Sequence, residues 1–442
     1  MKYSQFNTII PYEDKFALFN SFTQKFILID PVLKDLLIAG KEDEIDELKN
    51  IHPTFYNYIV EEEFLIDNKI DEVEKVKDVA KRIDENYNSF LLTINPTMNC
   101  NFKCWYCYET HIKKSSLTED VSNRIKLFIS KTAHNPSIKN LNLALFGGEP
   151  LLYFKRDVIP IILKLKEECS KNGVIYSINF TTNGYLINED FIKFFKDNGL
   201  LCSLQITLDG YREKHDAVRY VSASKGSYDE IIRNIKMLLL NNFFVRLRVN
   251  YTDQNIDGTD KIIEEFRDIP QHILKEYLLF DFHRVWQNYK PDDGVDAKTK
   301  SMSSNIREAG ARVTFKGPNN VLYSCYADKR NSAVINYNGD IFKCTARDFT
   351  TVKRAGYLNA EGELVWEDGY LERRMSAKFR NKPCLSCRLL PICNGGCSQH
   401  ALEAMESGHE YCVYSGSETE KDRAIRSKID EIVTQHLQTS EV

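Results

Sequence analysis

The sequence predicts an α/β protein: an open, partial barrel of six strand–helix units, (β/α)6, preceded by a small strand-then-helix module and followed by a cysteine-rich, turn-rich segment. Three observations carry this expectation. Between residues 89 and 285, strand-like runs alternate with helical stretches, the rhythm of a parallel sheet with crossover helices. The runs Phe90–Asn95, Leu141–Phe146, Val174–Thr181, Leu201–Leu208, Val245–Asn250 and Leu278–His283 are nearly continuous in apolar character, as strands buried on both faces are. Beyond residue 285 the alternation stops, and cysteines and turn residues dominate as far as Cys412.

The elements follow in order. Phe6–Tyr12, Phe16–Phe22 and Lys25–Ile29 are rich in β-branched and aromatic residues and read as strands. Pro31 suits a first helical residue, and Val32, Leu36 and Leu37, then Ile45, Leu48, Phe55, Tyr58 and Ile59, recur at helical spacing. Residues 1–67 therefore form an α+β module. Residues 68–88 carry dense alternating charge over a thin apolar stripe and read as a solvated linker helix. In the barrel, 89–285, Thr118 starts a helix through Val121, Ile125 and Phe128, while Ser227 and Glu230 form a capping box ahead of Ile231 and Ile235. Residues 286–415 make up the cysteine-rich part. Residues 416–442, with Ala424, Ile425, Ile429 and Ile432, read as an amphipathic helix packed on the body. Chemistry in such a barrel is expected at the C-terminal strand ends, by analogy with full TIM-like barrels.

Composition excludes several classes. Apolar residues make up 43% and charged residues 28% of 442, an ordinary globular balance. A net charge of -4 offers no footprint for nucleic acid, and no Lys/Arg-rich run stands beside an apolar span, so neither nucleic acid nor membrane is an expected partner. No secretory signal is legible, so a reducing, cytoplasmic setting is expected. Twelve cysteines in that setting point to metal or cluster ligation rather than disulfides.

The densest signal is Cys100-Asn-Phe-Lys-Cys104-Trp-Tyr-Cys107, just after the first barrel strand. Three thiolates so close suit one iron–sulfur cluster and leave one iron of a [4Fe–4S] cubane open to another ligand; a zinc site is the alternative. This Cys-x3-Cys-x2-Cys spacing, with Tyr106 before the last cysteine, resembles the radical S-adenosylmethionine (SAM) superfamily. Phe146-Gly147-Gly148-Glu149-Pro150 resembles that family's Gly-Gly-Glu-Pro motif, which holds the SAM amino group. Two glycines would let the backbone approach a ligand, and Glu149 would offer a carboxylate to an ammonium. Thr181-Thr182-Asn183-Gly184 and Gln205-Ile206-Thr207-Leu208-Asp209-Gly210 resemble segments lining SAM, with Thr207 as the position carried over. Asn183 and Asp209 equally suit turns. Arg219 is expected either to reach the SAM carboxylate or to sit in a surface ion pair.

The remaining cysteines, Cys325, Cys344 after Gly339, Cys384, Cys387, Cys393, Cys397 and Cys412, resemble the pattern of SPASM domains, found on radical SAM enzymes that mature peptides and proteins. Structural zinc is the alternative for Cys384–Cys397. The resemblance implies three [4Fe–4S] clusters in all: one binding SAM, and two auxiliary ones held by Cys325, Cys344 and Cys397 and by Cys384, Cys387, Cys393 and Cys412. The former set lacks a fourth cysteine, since residues 304–324 contain none; His, Asp, Glu, water or a substrate thiolate would complete it. Cys169 and Cys202 read as small buried hydrophobes.

The implied activity is reductive cleavage of SAM to a 5′-deoxyadenosyl radical that takes hydrogen from a peptide, with a flavodoxin or ferredoxin as electron donor. Between two related readings, sulfatase maturase and maturase of a ribosomally made precursor peptide, two features favour the latter. Thr345 stands where sulfatase maturases carry an acidic base, and nearly 100 residues precede the cluster motif. Residues 1–67 then suit a leader-peptide recognition (RRE-like, winged-helix) module that adds the leader as a strand, or a packing extension. A pure electron carrier is the reading from another class; an open iron argues against it.

Overall fold

The computed structural model describes residues 1–42, 44–222, 224–285, 287, 295–315 and 324–440. The chain divides into two compact units: Tyr87–Lys316 with Asn331–Asp368, and Met1–Asn86 with Gly317–Arg330 and Gly369–Val442.

The first of these is the barrel. Its six expected strands form, with ends shifted by a residue or two: Ser89–Asn95, Asn140–Leu145, Ile175–Thr182, Ser203–Leu208, Phe244–Tyr251 and Leu278–Arg284, each parallel to the next. Alternate residues such as Leu141, Leu143 and Leu145, or Val245, Leu247 and Val249, are fully buried in the core shared with the helices. Their neighbours, Asn142, Ser177, Asn179, Gln205, Arg246 and Arg248, occupy the opposite face, which becomes the barrel interior. Cys169 and Cys202 are buried in that same core as small apolar residues.

The alternation does not stop at residue 285, contrary to the sequence expectation. A helix, Val295–Glu308, leads to Arg312–Phe315, which pairs in parallel with Leu278–Arg284; on the other side Ser332–Asn336 pairs in parallel with Ser89–Asn95. Three short antiparallel strands, Asp340–Phe342, Gly356–Leu358 and Leu364–Trp366, extend that edge. The extra helix escaped a periodicity reading because its buried stripe is half hydroxylic: Val295, Thr299, Ser303 and Ile306. Thr299 and Ser303 satisfy their hydroxyls on the carbonyls four residues back.

Helix starts also divide. Thr118 accepts the Val121 N–H as an N-cap should. Ser227 makes no capping box: its hydroxyl donates to the Arg219 carbonyl at 2.8 Å, and the Asp216 carboxylate takes the Ser227 and Tyr228 N–H groups instead.

In the other unit Asn7–Tyr12, Lys15–Asn20 and Phe26–Ile29 form an antiparallel meander, followed by helices Pro31–Glu42 and Pro53–Glu61. This sheet is no free-standing module. Ile10, Ala17 and Phe19 share one apolar core with Leu389, Ile392, Ile425 and Ile429, so the first strands, the Cys384–Cys393 segment and the C-terminal helix Glu418–Ser440 fold as one body. The segment 68–88 is not merely a solvated linker either. Its helix, Glu72–Asp84, buries Val76 and Ala80 against Phe6 and Leu390, and Asp84 meets the buried Lys378 ammonium at 2.7 Å.

Candidate functional site

The strand Ser89–Asn95 runs into the loop that carries Cys100, Cys104 and Cys107, and hydrogen bonds fix both ends of that loop. Thr97 Oγ1 donates to the Ser115 carbonyl at 2.6 Å, Met98 N–H donates to Ser115 Oγ, and Ile112 N–H donates to the Met98 carbonyl. Cys100 and Cys104 are half-buried and Cys107 is exposed. Phe102 N–H points at Cys100 Sγ (3.4 Å), and His111 Nε2 lies 3.6 Å from Cys107 Sγ. Burial, with Glu149 nearby, pushes the Cys100 thiol up to about 12, and burial pushes Cys107 up to about 11. These thiols become thiolates when a cation takes the place of their protons, as iron does.

The glycines of Gly147-Gly148-Glu149 serve this loop. Gly148 N–H donates to the Thr97 carbonyl and Glu149 N–H to the Asn99 carbonyl. A Cβ on Gly148 would stand 2.3 Å from Asn99 O, and one on Gly147, whose φ is +97°, would stand 2.5 Å from Thr97 O. Both glycines thus allow a close approach to the cluster loop. Gly148→Ala should cost about 2 kcal/mol or more of stability; a melting curve unchanged from wild type would contradict this packing.

Glu149 is held by three donors in the loop and strand ends around it. Its carboxylate is fully buried and accepts from Leu151 N–H, Thr182 Oγ1 and Asn183 N–H at 2.8 to 3.0 Å. It ties the Gly147-Gly148 turn to the end of the neighbouring strand. Pro150, buried, follows as the first residue of a 3-10 turn. Asn183 acts in both ways open to it: its side-chain oxygen closes a turn on Tyr185 N–H, and its Nδ2 donates to Asn101 Oδ1 of the cluster loop.

Arg219 is no surface residue. Its guanidinium is buried, pairs with the Asp209 carboxylate, and donates to Tyr106 OH at 2.8 Å. Tyr106 OH donates in turn to Asp209 and accepts from Asn250 Nδ2 at 2.9 Å. Thr207 lies 8% exposed two residues before Asp209, near the end of its strand. Behind it His215 is fully buried; its Nδ1 accepts from Asp209 N–H, which leaves Nε2 to donate to Ser227 Oγ. Sequence reading missed Asn250, His215 and Ser227 as parts of this network. The His215-Asp216 pair between Asp209 and Arg219 was the available signal.

In the other unit Cys384, Cys387, Cys393 and Cys412 lie close enough to act on one another electrostatically. Burial first, and the neighbouring thiols second, push Cys393 up to about 12. Asn381 Nδ2 donates to Cys384 Sγ at 3.1 Å. Cys325 and Cys397 belong to this unit and are exposed, while Cys344 belongs to the barrel unit, where Ala346 N–H points at its sulfur. Residues 316–323, just before Cys325, lie outside the described residues. Among the described residues no three His, Cys, Asp or Glu side chains converge as ligands of a single metal ion. A cluster, whose thiolates bind different irons, takes its sulfurs farther apart. The donor sets fit such groups: three thiols on one loop for a cluster with an open iron, four on the other unit for a complete one.

The chain matches the radical SAM superfamily model over residues 94–266. It is 38% identical, over 71% of its length and 88% of the relative's, to a cysteine-type anaerobic sulfatase-maturating enzyme of Clostridium novyi. Its fold is similar to native anSMEcpe with bound AdoMet and Cp18Cys peptide: TM-score 0.58, 17% identity, 80% of this chain and 99% of that one. It is also similar to Streptococcus suis SuiB bound to precursor peptide SuiA: TM-score 0.53, 18% identity, 92% of this chain and 97% of that one.

Proposed function

This chain belongs to the radical SAM superfamily, as an enzyme that acts on a peptide or protein and carries a C-terminal SPASM domain, and from that premise we propose that it matures a ribosomally made precursor peptide by installing a cross-link, a thioether or a carbon–carbon bond. The observations that carry this reading are the three-stranded sheet ahead of the barrel and a likeness to SuiB that covers 92% of the chain, against 80% for anSMEcpe.

Cys100, Cys104 and Cys107 would hold a [4Fe–4S] cluster, Cys384, Cys387, Cys393 and Cys412 a second, and Cys325, Cys344 and Cys397 a third. When bound, the first cluster and SAM supply the 5′-deoxyadenosyl radical that removes hydrogen from the substrate. The chain's own residues do the rest. The Thr97–Ser115 bonds hold the cysteine loop, Glu149 ties it to the next strand ends, and Asp209 and Tyr106 orient Arg219, whose remaining nitrogen is available to the SAM carboxylate. Asn183 and Thr207 line the same strand ends. A flavodoxin or ferredoxin suits the electron supply.

The leader would add to Phe26–Ile29, which among the described residues pairs with one strand; the opposite edge strand, Asn7–Tyr12, contains Pro11 and is bonded by Arg426 and Asp430. Because Asn20 N–H bonds the Lys25 carbonyl, alternation turns the Leu28 N–H outward. Leu28→Pro should therefore weaken leader binding at least tenfold, about 1.4 kcal/mol, with iron content unchanged. Equal affinity in a titration would leave these strands a packing role. Deleting residues 1–67 is a poor test, because it strips Ile10, Ala17 and Phe19 from the core around Leu389 and Ile425.

Coexpression with short open reading frames beside the gene, read by mass spectrometry, tests the whole reading. A peptide lighter by two hydrogens is the expected product. The 38% identity to the Clostridium enzyme favours a second reading, sulfatase maturation; conversion of a sulfatase-derived cysteine to an aldehyde, with no precursor peptide modified, would establish it instead.

A further inference from the structure

Polar side chains line two walls of the barrel interior. Asn142 Nδ2 donates to Ser89 Oγ, Ser177 Oγ donates to Asn142 Oδ1, and Asn179 Nδ2 donates to Ser177 Oγ, so one wall is a ladder of neutral groups whose bonds close among themselves. The opposite wall carries charge. On the strand Phe244–Tyr251, Val245, Leu247 and Val249 are fully buried against the helices, which sets Arg246, Arg248 and Asn250 on the interior face. Arg248 stands in register between Thr207 on one neighbour and Asp281 on the other.

The guanidinium groups there are unequally paired. Arg219 pairs with Asp209 and donates to Tyr106. Asp281, 4% exposed, is shared by Arg246 Nη1 at 3.2 Å and His283 Nε2 at 3.1 Å. Burial would raise the Asp281 carboxyl, but those two partners outweigh it and hold the group below its usual range. Arg248 donates through Nε to Asn250 Oδ1 at 2.9 Å; its two terminal nitrogens donate to no group among the described residues. Arg248 is therefore the one of these three guanidinium groups with no carboxylate in contact among the described residues; it is half-buried, and its burial lowers its affinity for the proton. A desolvated guanidinium without a contact carboxylate is costly, and its planar fork matches a carboxylate in bidentate geometry.

We infer that Arg248, flanked by Arg246, is the receptor for a carboxylate of the substrate, carried by an acidic side chain or a peptide C-terminus, within the barrel. Arg248 is joined through Asn250 to Tyr106 OH, and Tyr106 lies between Cys104 and Cys107. A residue anchored there sits within two hydrogen bonds of the cluster loop, so the anchor selects which substrate residue meets the radical. The inference rests on the peptide or protein substrate read above and deepens it by naming what the substrate must carry.

The test needs no known substrate. Phenylglyoxal modifies accessible guanidinium groups, and peptide mapping by mass spectrometry reads each arginine separately. In the reconstituted full chain Arg248 should label, while Arg219 stays unlabelled. N-acetylglutamic acid α-amide should slow labelling of Arg248 severalfold, and the isosteric N-acetylglutamine amide should not. N-acetylalanine, which offers a terminal carboxylate, separates the two sources of that group by protecting more or less than the side-chain acid. Equal protection by acid and amide, an unreactive Arg248, or protection by SAM alone would overturn the assignment, the last by giving the arginine to the cofactor. The maturase reading is judged separately, by the mass of coexpressed peptides, so the two fail independently.

Discussion

Replacing Cys100, Cys104 and Cys107 together by alanine should remove about a third of the roughly 12 iron atoms expected for three cubane clusters and abolish 5′-deoxyadenosine formation. Each thiol sits on the loop pinned by Thr97 and Ser115, and none of the seven cysteines beyond residue 300 belongs to that loop. Substituting Cys384 or Cys387 should act differently: iron falls, SAM cleavage stays measurable, and peptide modification drops. Colorimetric iron and chromatographic deoxyadenosine assays on anaerobically reconstituted protein read both effects. A triple variant that still cleaves SAM would remove the central assignment.

Asp209→Asn should produce the largest loss of stability, about 3–5 kcal/mol, because it leaves the buried Arg219 guanidinium without its counter-charge. Asp209 is 1% exposed and Arg219 8%, so neither solvent screening nor a shift into water relieves the loss. In a unit this large the melting temperature should fall on the order of 10 °C. Tyr106 should lose its fixed orientation too, since its hydroxyl is held between Asp209, Arg219 and Asn250. A fall in stability under about 1 kcal/mol would mean that water or a neighbouring group takes over the pairing.

The site was readable in the sequence where chemistry depends on spacing along one loop. Cys100, Cys104 and Cys107 had to be close because only six residues separate the outer two. Glu149 and Arg219 were found by motif, but their partners were not. Glu149 is satisfied by Thr182 and Asn183, over 30 residues away, and Tyr106 by Asn250, 144 residues away. Which donor reaches a buried carboxylate is a property of the closed barrel.

The sequence by itself determined the six barrel strands, the cysteine loop at the end of the first, and the three-stranded start, because each is written in local periodicity or fixed spacing. Only the tertiary structure decided that Ile10 and Phe19 share a core with Ile425 and Ile429, that Val295–Glu308 and Arg312–Phe315 lengthen the sheet, and that Arg248 contacts no carboxylate among the described residues. The physical reason is common to all three. Apolar burial is non-directional, so an apolar stripe announces that it will be covered but not by what, and a charge balance exists only once strands distant in sequence stand in register.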